Sequence, residues 1–339
     1  MNRNFNVLIT VPFPDKLRNM LDAISSRLQI TYRKARSEDD IPSELWRQTD
    51  VLYTNEILPT PKQAPNLKWI QFHYAGIDRH LDTPILHQPG VIATTLSGVH
   101  APQMGEYVLM MMLALGHHLT EILNLKAKGD WPRDRSQQFL PTELNGRTVG
   151  IVGYGSIGRE VARLLQPFGV TVLAAKWDAM NPQDSGYIQE GFGDPTGDLP
   201  RRIYPFQAIK SMIAACDFLV ITVPLTPETD GLIGVEELDA MKPDSVLIDV
   251  SRGCVVDHIA LIRALKDKKI AGAALDVFPE EPLPKDSPLW KFPNVIISPH
   301  IAGISPHYDQ RAVALFTENM RRFLAGEPLH NQFVVERRY

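Results

Sequence analysis

Apolar residues fall along this chain in short, nearly continuous runs, and stretches with helical spacing separate many of them. In the first hundred residues the strand-like runs are "NVLIT" (6–10), "ITYRK" (30–34), "DVLYTN" (50–55), "NLKWIQFHYAG" (66–76) and "VIATT" (91–95). The stretch "DKLRNMLDAISSRL" (15–28) instead repeats its apolar residues at helical spacing. Strands that alternate with helices are typical of a parallel sheet with helices on both faces.

A second series of strands follows a long helix predicted over about 103–128 and a polar arm or linker at 129–146. Its strands are predicted at "RTVGIVG" (147–153), "VTVLAA" (170–175), "DFLVITVPL" (217–225), "SVLIDV" (245–250), "AGAALDVF" (271–278) and "NVIIS" (294–298). Residues 177–205 are rich in Gly, Pro and Asp, and we interpret them as an irregular excursion. A last helix is predicted over about 306–324.

These patterns predict an α/β protein with two doubly wound parallel-sheet (Rossmann-like) domains and a cleft between them. A length of 339 residues agrees with two domains of ordinary size. We expect residues 1–99 to begin a substrate-binding domain and residues 100–303 to form a dinucleotide-binding domain. Residues 304–339 are expected to return and complete the first domain.

Composition narrows the possible partners. The chain is 44% apolar and 22% charged, with a net charge of −4. This balance gives no basic patch, so we expect no nucleic-acid partner and no anionic membrane. The cysteines, Cys216 and Cys254, make no disulfide framework, which favours the reducing cytoplasm. The start "MNRNFNVLIT" is interpreted as a strand rather than a signal peptide, and "YVLMMMLALGHHL" (107–119) as a buried helix.

A glycine motif follows the first strand of the second series. In "GIVGYGSIGREVA" (150–162), Gly153, Gly155 and Gly158 have G-x-G-x-x-G spacing between an apolar strand and an amphipathic helix. Gly153 permits a tight turn, Gly155 lets a pyrophosphate approach the backbone, and Gly158 lets helix and strand pack closely. The amides of Ser156 and Ile157 would then point at phosphate. A glycine turn without a ligand is the alternative that this context disfavours.

The end of the next strand bears on the choice between NAD and NADP. An acid about 20 residues after the glycines favours NAD, whereas a cation there accepts the 2′-phosphate of NADP. If the position is counted from the glycine motif, Asp178 is the residue expected to bind the ribose. If it is counted from the end of the strand at 170–175, Lys176 is the residue that decides between NAD and NADP. Both alternatives stay open, with NADP slightly favoured, and Lys176 as a plain surface residue is a third.

Polar residues follow three later strands. Arg252 lies in "DVSRG" (249–253), Glu281 in "LDVFPEEPLP" (275–284) and His300 in "SPHIAG" (298–303). Carboxyl ends of parallel strands converge on one crevice, so the three side chains could meet. Arg can bind a carboxylate, His can give or take a proton, and a carboxylate can keep the ring protonated. A structural histidine and an ordinary salt bridge are the alternative. No second ligand has suitable spacing around the histidine, so we expect no metal.

The chain resembles the D-isomer-specific 2-hydroxyacid dehydrogenases over most of its length, in particular those that reduce glyoxylate and hydroxypyruvate. The glycine motif resembles the family's cofactor loop. The other matching blocks follow in the family's order: "HYAGIDRH" (73–80), "TVPLTPETDGLI" (222–233), "MKPDSVLIDVSRGCVVD" (241–257), "AGAALDVFPEEPL" (271–283) and "ISPHIAG" (297–303). An ordered series of this kind is far more specific than any one motif.

The resemblance implies hydride transfer between NAD(P) and a small 2-oxo acid or D-2-hydroxy acid. It implies that Arg252 binds the substrate's carboxylate and carbonyl, that His300 is the general acid/base, and that Glu281 pairs with His300. The backbone amides of Ala75 and Gly76 are expected on the substrate carboxylate. The cofactor-binding set implied in this way also includes Pro224, Val250, Ser251, Asp276 (near the nicotinamide) and Gly303.

Two rival functions share this fold. A formate-type dehydrogenase is disfavoured by Glu281, because that subfamily carries an amide in this block. A nucleotide-sensing binding protein, like the corepressors with this fold, is disfavoured by the complete set of Arg252, Glu281 and His300. Lys176 and the length of 177–205 depart from the family's usual pattern. The resemblance also suggests a homodimer joined around 103–145.

Overall fold

The structure is a computed structural model that describes residues 4–334. The chain divides into two compact units, the first made of Met1–His100 with Ser305–Tyr339 and the second of Ala101–Ile304. Each unit is built on one parallel sheet.

The first unit contains a five-stranded sheet. Its elements before residue 101 are β1 (Phe5–Ile9), α1 (Asp15–Asp22), β2 (Leu28–Tyr32), α2 (Ser43–Gln48), β3 (Val51–Thr54), β4 (Trp69–Phe72) and β5 (Ile92–Thr94). The strand order is β2-β1-β3-β4-β5, and all neighbouring strands are parallel.

The second unit contains a seven-stranded sheet. Its elements are α3 (Ala101–Gly116), α4 (Leu119–Lys128), α5 (Arg135–Gln138), β6 (Thr148–Val152), α6 (Ser156–Leu165), β7 (Thr171–Ala175), β8 (Arg202–Tyr204), α7 (Ile209–Ile213), β9 (Phe218–Ile221), α8 (Val235–Ala240), β10 (Val246–Asp249), α9 (His258–Lys266), β11 (Gly272–Leu275) and β12 (Val295–Ile297). The strand order is β12-β11-β10-β9-β6-β7-β8, again with all neighbours parallel. The last helix, α10 (Tyr308–Ala325), belongs to the first unit.

Both sheets are buried on both faces, which explains why their strands read as continuous apolar runs. In β3, Val51 and Tyr53 belong to one apolar cluster, whereas Leu52 belongs to another. In β9, Phe218 and Leu219 divide between two clusters in the same way. Side chains alternate across a strand, so each strand contributes to two cores at once. The prediction of two parallel-sheet α/β domains is therefore confirmed.

Helix α10 completes one core of the first unit. The ring of Phe316 lies 4.8 Å from the ring of Tyr53 and 5.1 Å from that of Trp69, measured between centroids. Val313 and Met320, on the same face of the helix, are also fully buried. The helix ends at Gly326, which adopts the left-handed conformation that glycine tolerates best.

Local details differ from the sequence predictions. The helix predicted over 103–128 is broken: α3 ends at Gly116, and α4 begins at Leu119 after His118, whose φ is +56°. A Cβ at Gly116 would lie 2.9 Å from the carbonyl oxygen of Thr142, and the amide of Thr142 donates to the carbonyl oxygen of Gly116 at 2.8 Å, so the returning chain packs against the end of α3. The region predicted as irregular up to residue 205 includes the short strand β8. We call residues 176–201, between β7 and β8, the β7–β8 segment.

Within residues 4–334, no single helix is long and apolar enough to cross a membrane. Helices α3 and α4 reach the length and apolar composition of a membrane-spanning helix only when they are taken together, and the two helices are bent by 63° relative to each other. In α3, Val108 and Met112 are fully buried in a core of the second unit.

Candidate active site

The turn between β6 and α6 has the shape of a phosphate cradle. Gly153 has a φ of +100°, and a Cβ there would lie 2.9 Å from the backbone nitrogen of Val223. A Cβ on Gly158 would lie 2.4 Å from the carbonyl oxygen of Gly153. Gly155, in contrast, has open space within 4 Å of its missing side chain. Two glycines are therefore needed for packing, and the third leaves room for a ligand, which fits a dinucleotide.

Helix α6 points its N-terminus at this opening. Gly155 is its N-cap and Ser156 its first residue, and within the described chain no side chain caps this end. The first amides of a helix have no partner inside it, so Ser156 and Ile157 can offer N–H groups to an anion.

Lys176 and Asp178, the two candidates for the ribose contact, both form hydrogen bonds inside the β7–β8 segment. The Nζ of Lys176 donates to the carbonyl oxygens of Asn181 (2.5 Å) and Gln183 (2.9 Å). Burial, with the nearby charge of Arg159, lowers the pKa of Lys176. The carboxylate of Asp178 accepts from the side-chain amide of Asn181 at 2.6 Å, and this bond lowers the pKa of Asp178.

The remaining cofactor candidates lie along one edge of the second sheet. Pro224 follows β9, Val250 and Ser251 follow β10, Asp276 follows β11, and Gly303 follows β12. Because all these strands are parallel, their carboxyl ends share the edge that also carries the glycine turn after β6.

His300 and Glu281 form a direct pair. The Nδ1 of His300 lies 2.8 Å from the Oε2 of Glu281, and the Oε1 of Glu281 accepts the backbone N–H of Phe278 at 3.0 Å. Burial raises the pKa of Glu281, but the hydrogen bonds with His300 and Phe278 and the charge of Arg252 outweigh it, so the pKa lies below its ordinary value. Within the described residues, Nε2 of His300 makes no hydrogen bond, which leaves it as the atom that can exchange a proton.

Arg252 lies close enough for its charge to act on Glu281. Its Nη1 donates to the carbonyl oxygen of Ser251 at 2.8 Å. Ser251 is held in turn by Asp249, whose Oδ1 accepts from the Ser251 amide (2.9 Å) and hydroxyl (2.6 Å). The structure thus brings together Arg252, Glu281 and His300, which are far apart in the sequence.

Asp276 organises the loop that carries His300. Its Oδ1 accepts from the hydroxyl of Ser298 (2.6 Å) and the amide of Ile301 (2.9 Å), and its Oδ2 accepts from the amide of Ala302 (2.8 Å). The amide of His300 donates to the carbonyl oxygen of Asp276 at 2.9 Å, and His300 itself has a φ of +53°. A turn wrapped around a buried carboxylate therefore holds the histidine in a conformation that few residues adopt freely.

Sequence reasoning missed Asp249 and Tyr107. Burial raises the pKa of Asp249 to about 7, and its Oδ2 has no partner among the described residues. The signal that could have found it is an acid as the last residue of a wholly apolar strand. Tyr107, on α3, forms a short hydrogen bond with the hydroxyl of Ser298 and so also supports the histidine loop.

Ala75 and Gly76 lie in the first unit, in the loop after β4. This loop is anchored by His73, whose amide donates to the carbonyl oxygen of Thr54 at 2.7 Å and whose Nδ1 lies 2.8 Å from the hydroxyl of Tyr53. Burial lowers the pKa of His73 to about 4, so its ring is neutral at pH 7. The described residues contain no group of three His, Cys, Asp or Glu side chains that could hold a metal ion.

The sequence model of the D-isomer-specific 2-hydroxyacid dehydrogenase family, NAD-binding domain, matches residues 109–302. A glyoxylate reductase from Thermofilum pendens is 37% identical over 78% of this chain and 74% of its own length. A glyoxylate/hydroxypyruvate reductase B from Pectobacterium carotovorum is 35% identical over 80% of each chain. The chain belongs to the D-isomer-specific 2-hydroxyacid dehydrogenases.

A solved member of the family supports the same assignment. The D-isomer-specific 2-hydroxyacid dehydrogenase from Xanthobacter autotrophicus Py2, in complex with NADPH and MES, superposes with a TM-score of 0.79 at 28% identity. The match covers 99% of this chain and all (100%) of that chain. The present dehydrogenase is therefore an NAD(P)-dependent oxidoreductase that transfers a hydride between the nicotinamide and a small 2-oxo or 2-hydroxy acid, which confirms the predicted family, activity and cofactor class.

Proposed function

We propose that this enzyme reduces small 2-oxo acids with His300 as proton donor, Glu281 as its charged partner and Arg252 as the carboxylate ligand. The observation that carries this assignment is the 2.8 Å contact between His300 Nδ1 and Glu281 Oε2, with the charge of Arg252 beside it. An ionised Glu281 favours the protonated ring, which is the form that reduction needs.

The chemistry divides among the residues as follows. When bound, reduced nicotinamide supplies the hydride to the carbonyl carbon of the substrate. The guanidinium of Arg252 can hold the carboxylate through two N–H groups and polarise the neighbouring carbonyl. Nε2 of His300 then gives its proton to the new alkoxide. The amides of Ala75 and Gly76 add hydrogen bonds to the substrate carboxylate.

Residues 1–99 and 304–339 form the substrate-binding domain of this proposal, and residues 100–303 form the cofactor domain. The cofactor contacts are assigned to the glycine turn and to the strand-end residues Pro224, Val250, Ser251, Asp276 and Gly303. Their shared position at the carboxyl edge of one parallel sheet supports this assignment.

Glyoxylate and hydroxypyruvate are the proposed substrates. The relatives from Thermofilum pendens and Pectobacterium carotovorum carry these activities in their names. The decisive experiment measures kcat/KM for a panel of 2-oxo acids with different side chains, each with NADPH and with NADH. Turnover of the two small acids well above that of bulky or aromatic ones is expected. A preference for a bulky acid would reject this substrate class.

NADPH is the proposed cofactor, with Lys176 as the ligand of its 2′-phosphate. The relative from Xanthobacter autotrophicus, at 28% identity, binds NADPH. The substitution Lys176→Asp should weaken NADPH roughly ten- to a hundredfold more than NADH, because an acid repels the phosphate. Equal weakening of both cofactors would reject the assignment and favour Asp178 as the ribose ligand.

A cytoplasmic homodimer is proposed, joined through α3, α4 and the segment that follows. Large apolar side chains are exposed over this region, namely Met110, Leu119, Ile122, Leu123, Trp131 and Leu140. Trp131, 80% exposed, is the most accessible of them, and large apolar side chains exposed in this way are typical of an interface. Light scattering should give twice the mass of one chain for the wild type. Trp131→Glu with Leu123→Glu should give a monomer.

A further inference from the structure

The β7–β8 segment presents three consecutive carbonyl groups to two cations. Lys176 Nζ donates to the carbonyl oxygens of Asn181 and Gln183 at 2.5 and 2.9 Å. Nη2 of Arg159 donates to the carbonyl oxygen between them, that of Pro182, at 2.5 Å. An ammonium group has three N–H donors, so the two carbonyls orient Lys176 and leave one donor for another acceptor.

Arg159 connects this stretch to the helix of the phosphate cradle. It lies in α6, and its side chain is almost completely buried, with 1% exposed. Its Nη1 donates to the carbonyl oxygen of Asp194 at 2.5 Å, and its Nε lies 3.3 Å from the Oδ2 of Asp184. A guanidinium presents its donors in a rigid planar fork, so these contacts set the position of the segment relative to α6.

A second set of contacts ties the same segment to the glycine turn. Tyr154, which lies between two glycines of the motif, donates its hydroxyl to the carboxylate of Asp194 at 2.6 Å. The guanidinium of Arg159 lies over the ring of Tyr154, 4.7 Å from its centroid. Glu160 accepts the backbone N–H of Gly193 at 2.7 Å. The segment is thus fastened to the glycine turn and helix α6, which would hold the cofactor phosphates, and it is not a free surface loop.

We propose that Arg159 is a positioning residue for cofactor selection: by fixing the β7–β8 segment on α6, it holds the Asn181 and Gln183 carbonyls that orient Lys176 toward a 2′-phosphate. The inference rests on the NADPH preference proposed above and extends it to the buried Arg159 and to the carbonyl groups that bind Lys176. Two observations support the inference: Arg159 is buried, and its side chain contacts both the glycine turn and the segment that carries the carbonyl groups. Orienting a flexible lysine in advance removes part of the entropy that phosphate binding would otherwise cost.

A double-mutant cycle tests the coupling. The dissociation constants of NADPH and NADH are measured by calorimetry for the wild type, Arg159→Gln, Lys176→Met and the double variant. Arg159→Gln should lower the preference for NADPH over NADH by roughly tenfold, since neighbouring groups of one network couple by that order. In a protein that already carries Lys176→Met, adding Arg159→Gln should not lower the preference for NADPH any further. Arg147→Gln is the control, because Arg147 pairs with Asp217 instead.

Because Arg159 is buried, its substitution could unfold the domain, so Asp184→Asn provides a second variant. It keeps the shape of the side chain and removes a charge that lies beside Nε of Arg159 and also acts on Lys176, and it should reduce the NADPH preference in the same direction by a smaller factor. Limited proteolysis gives an independent readout: cleavage within 177–199 should accelerate in both variants, and NADPH should slow it more than NADH does in the wild type.

The outcomes separate the two proposals. A selective loss of NADPH in Lys176→Met with equal losses of both cofactors in the Arg159 and Asp184 variants would overturn the positioning role alone. An unchanged preference in Lys176→Met would overturn both the NADPH proposal and the positioning role. Additive effects in the double variant would show that Arg159 acts by another route and would likewise overturn the inference.

Discussion

Gly253 packs directly against the backbone of Phe278. A Cβ on Gly253 would lie 1.9 Å from the carbonyl carbon of Phe278 and 2.2 Å from its oxygen. The residue before Gly253 is Arg252, and the amide of Phe278 donates to Glu281 at 3.0 Å. The loop of the proposed carboxylate ligand and the loop of the acid–base pair are therefore in backbone contact.

Gly253→Ala should disrupt the active site through this contact. The backbone of Phe278 cannot move aside as a flexible side chain can, and overpacking of this kind costs about 1–3 kcal/mol. We expect a lower melting temperature and a fall in kcat/KM of at least about tenfold, since Arg252 and Glu281 shift relative to each other. Gly234→Ala is the matched control, because the nearest atom to its Cβ would be 3.6 Å away. Wild-type kcat/KM in Gly253→Ala would show that the contact does not matter.

Glu281→Gln should move the pH profile of the reaction. Glu281 has a lowered pKa, so it is ionised at neutral pH and favours the protonated ring of His300. Glutamine keeps the shape but removes the charge, so the protonated ring is lost at lower pH. The reductive kcat/KM should therefore begin to fall at a lower pH than in the wild type. In the oxidative direction, which needs the neutral ring, the acid-side fall should move to lower pH as well.

His300→Gln is the second variant to be measured in the same pH–rate experiment. It should remove the titrating limb and reduce the rate about 10²–10⁴-fold, the usual contribution of general acid catalysis. Profiles of the wild type and both variants are needed in both directions. If Glu281→Gln leaves the profile where it was, the pair with His300 is structural.

Arg252→Lys should fail to restore activity. A lysine keeps the charge but lacks the planar fork that binds a carboxylate through two parallel hydrogen bonds. The KM for the 2-oxo acid should rise strongly, whereas the dissociation constant of NADPH should change little. A lysine variant with near-wild-type kcat/KM would contradict the role of Arg252 as carboxylate ligand.

Asp249→Asn should change how stability depends on pH. Burial raises the pKa of Asp249 from 3.8 to about 7, so between these values the folded protein holds a proton that the unfolded chain has lost. Raising the pH through this range therefore lowers the free energy of unfolding of the wild type, by at most about 1.4 kcal/mol per pH unit. The asparagine variant lacks this dependence and keeps an acceptor for Ser251. Urea unfolding at pH 5 and pH 7 should show the wild type losing stability relative to the variant.

Local patterns were sufficient for most of the fold. The parallel strands are short and buried on both faces, so their apolar runs mark them without long-range information. The same holds for the strand-end residues Arg252 and His300, because carboxyl ends of parallel strands share one edge. The glycine motif also depends only on its immediate context.

Features that depend on distant packing could not be predicted in this way. The break at His118 arises where the chain at Thr142 returns against Gly116. The pattern of apolar residues within 103–128 does not predict this break. Arg159 lies in α6, and its contacts with Pro182 and Asp194 join that helix to the irregular segment after β7. An arginine on a helix usually signals a solvated surface, whereas here Arg159 is buried.

The position of α10 has a consequence for how the protein is made. One core of the first unit requires Val7 and Ile9 from the start of the chain together with Phe316 and Met320 from α10. Residues 101–304, which form the second unit, emerge from the ribosome between these two groups. The second unit can therefore close its cores while the first still lacks a helix. Throughout that interval the ring of Phe316 cannot cover Tyr53 and Trp69, so an apolar face of the first sheet stays exposed until α10 has been made.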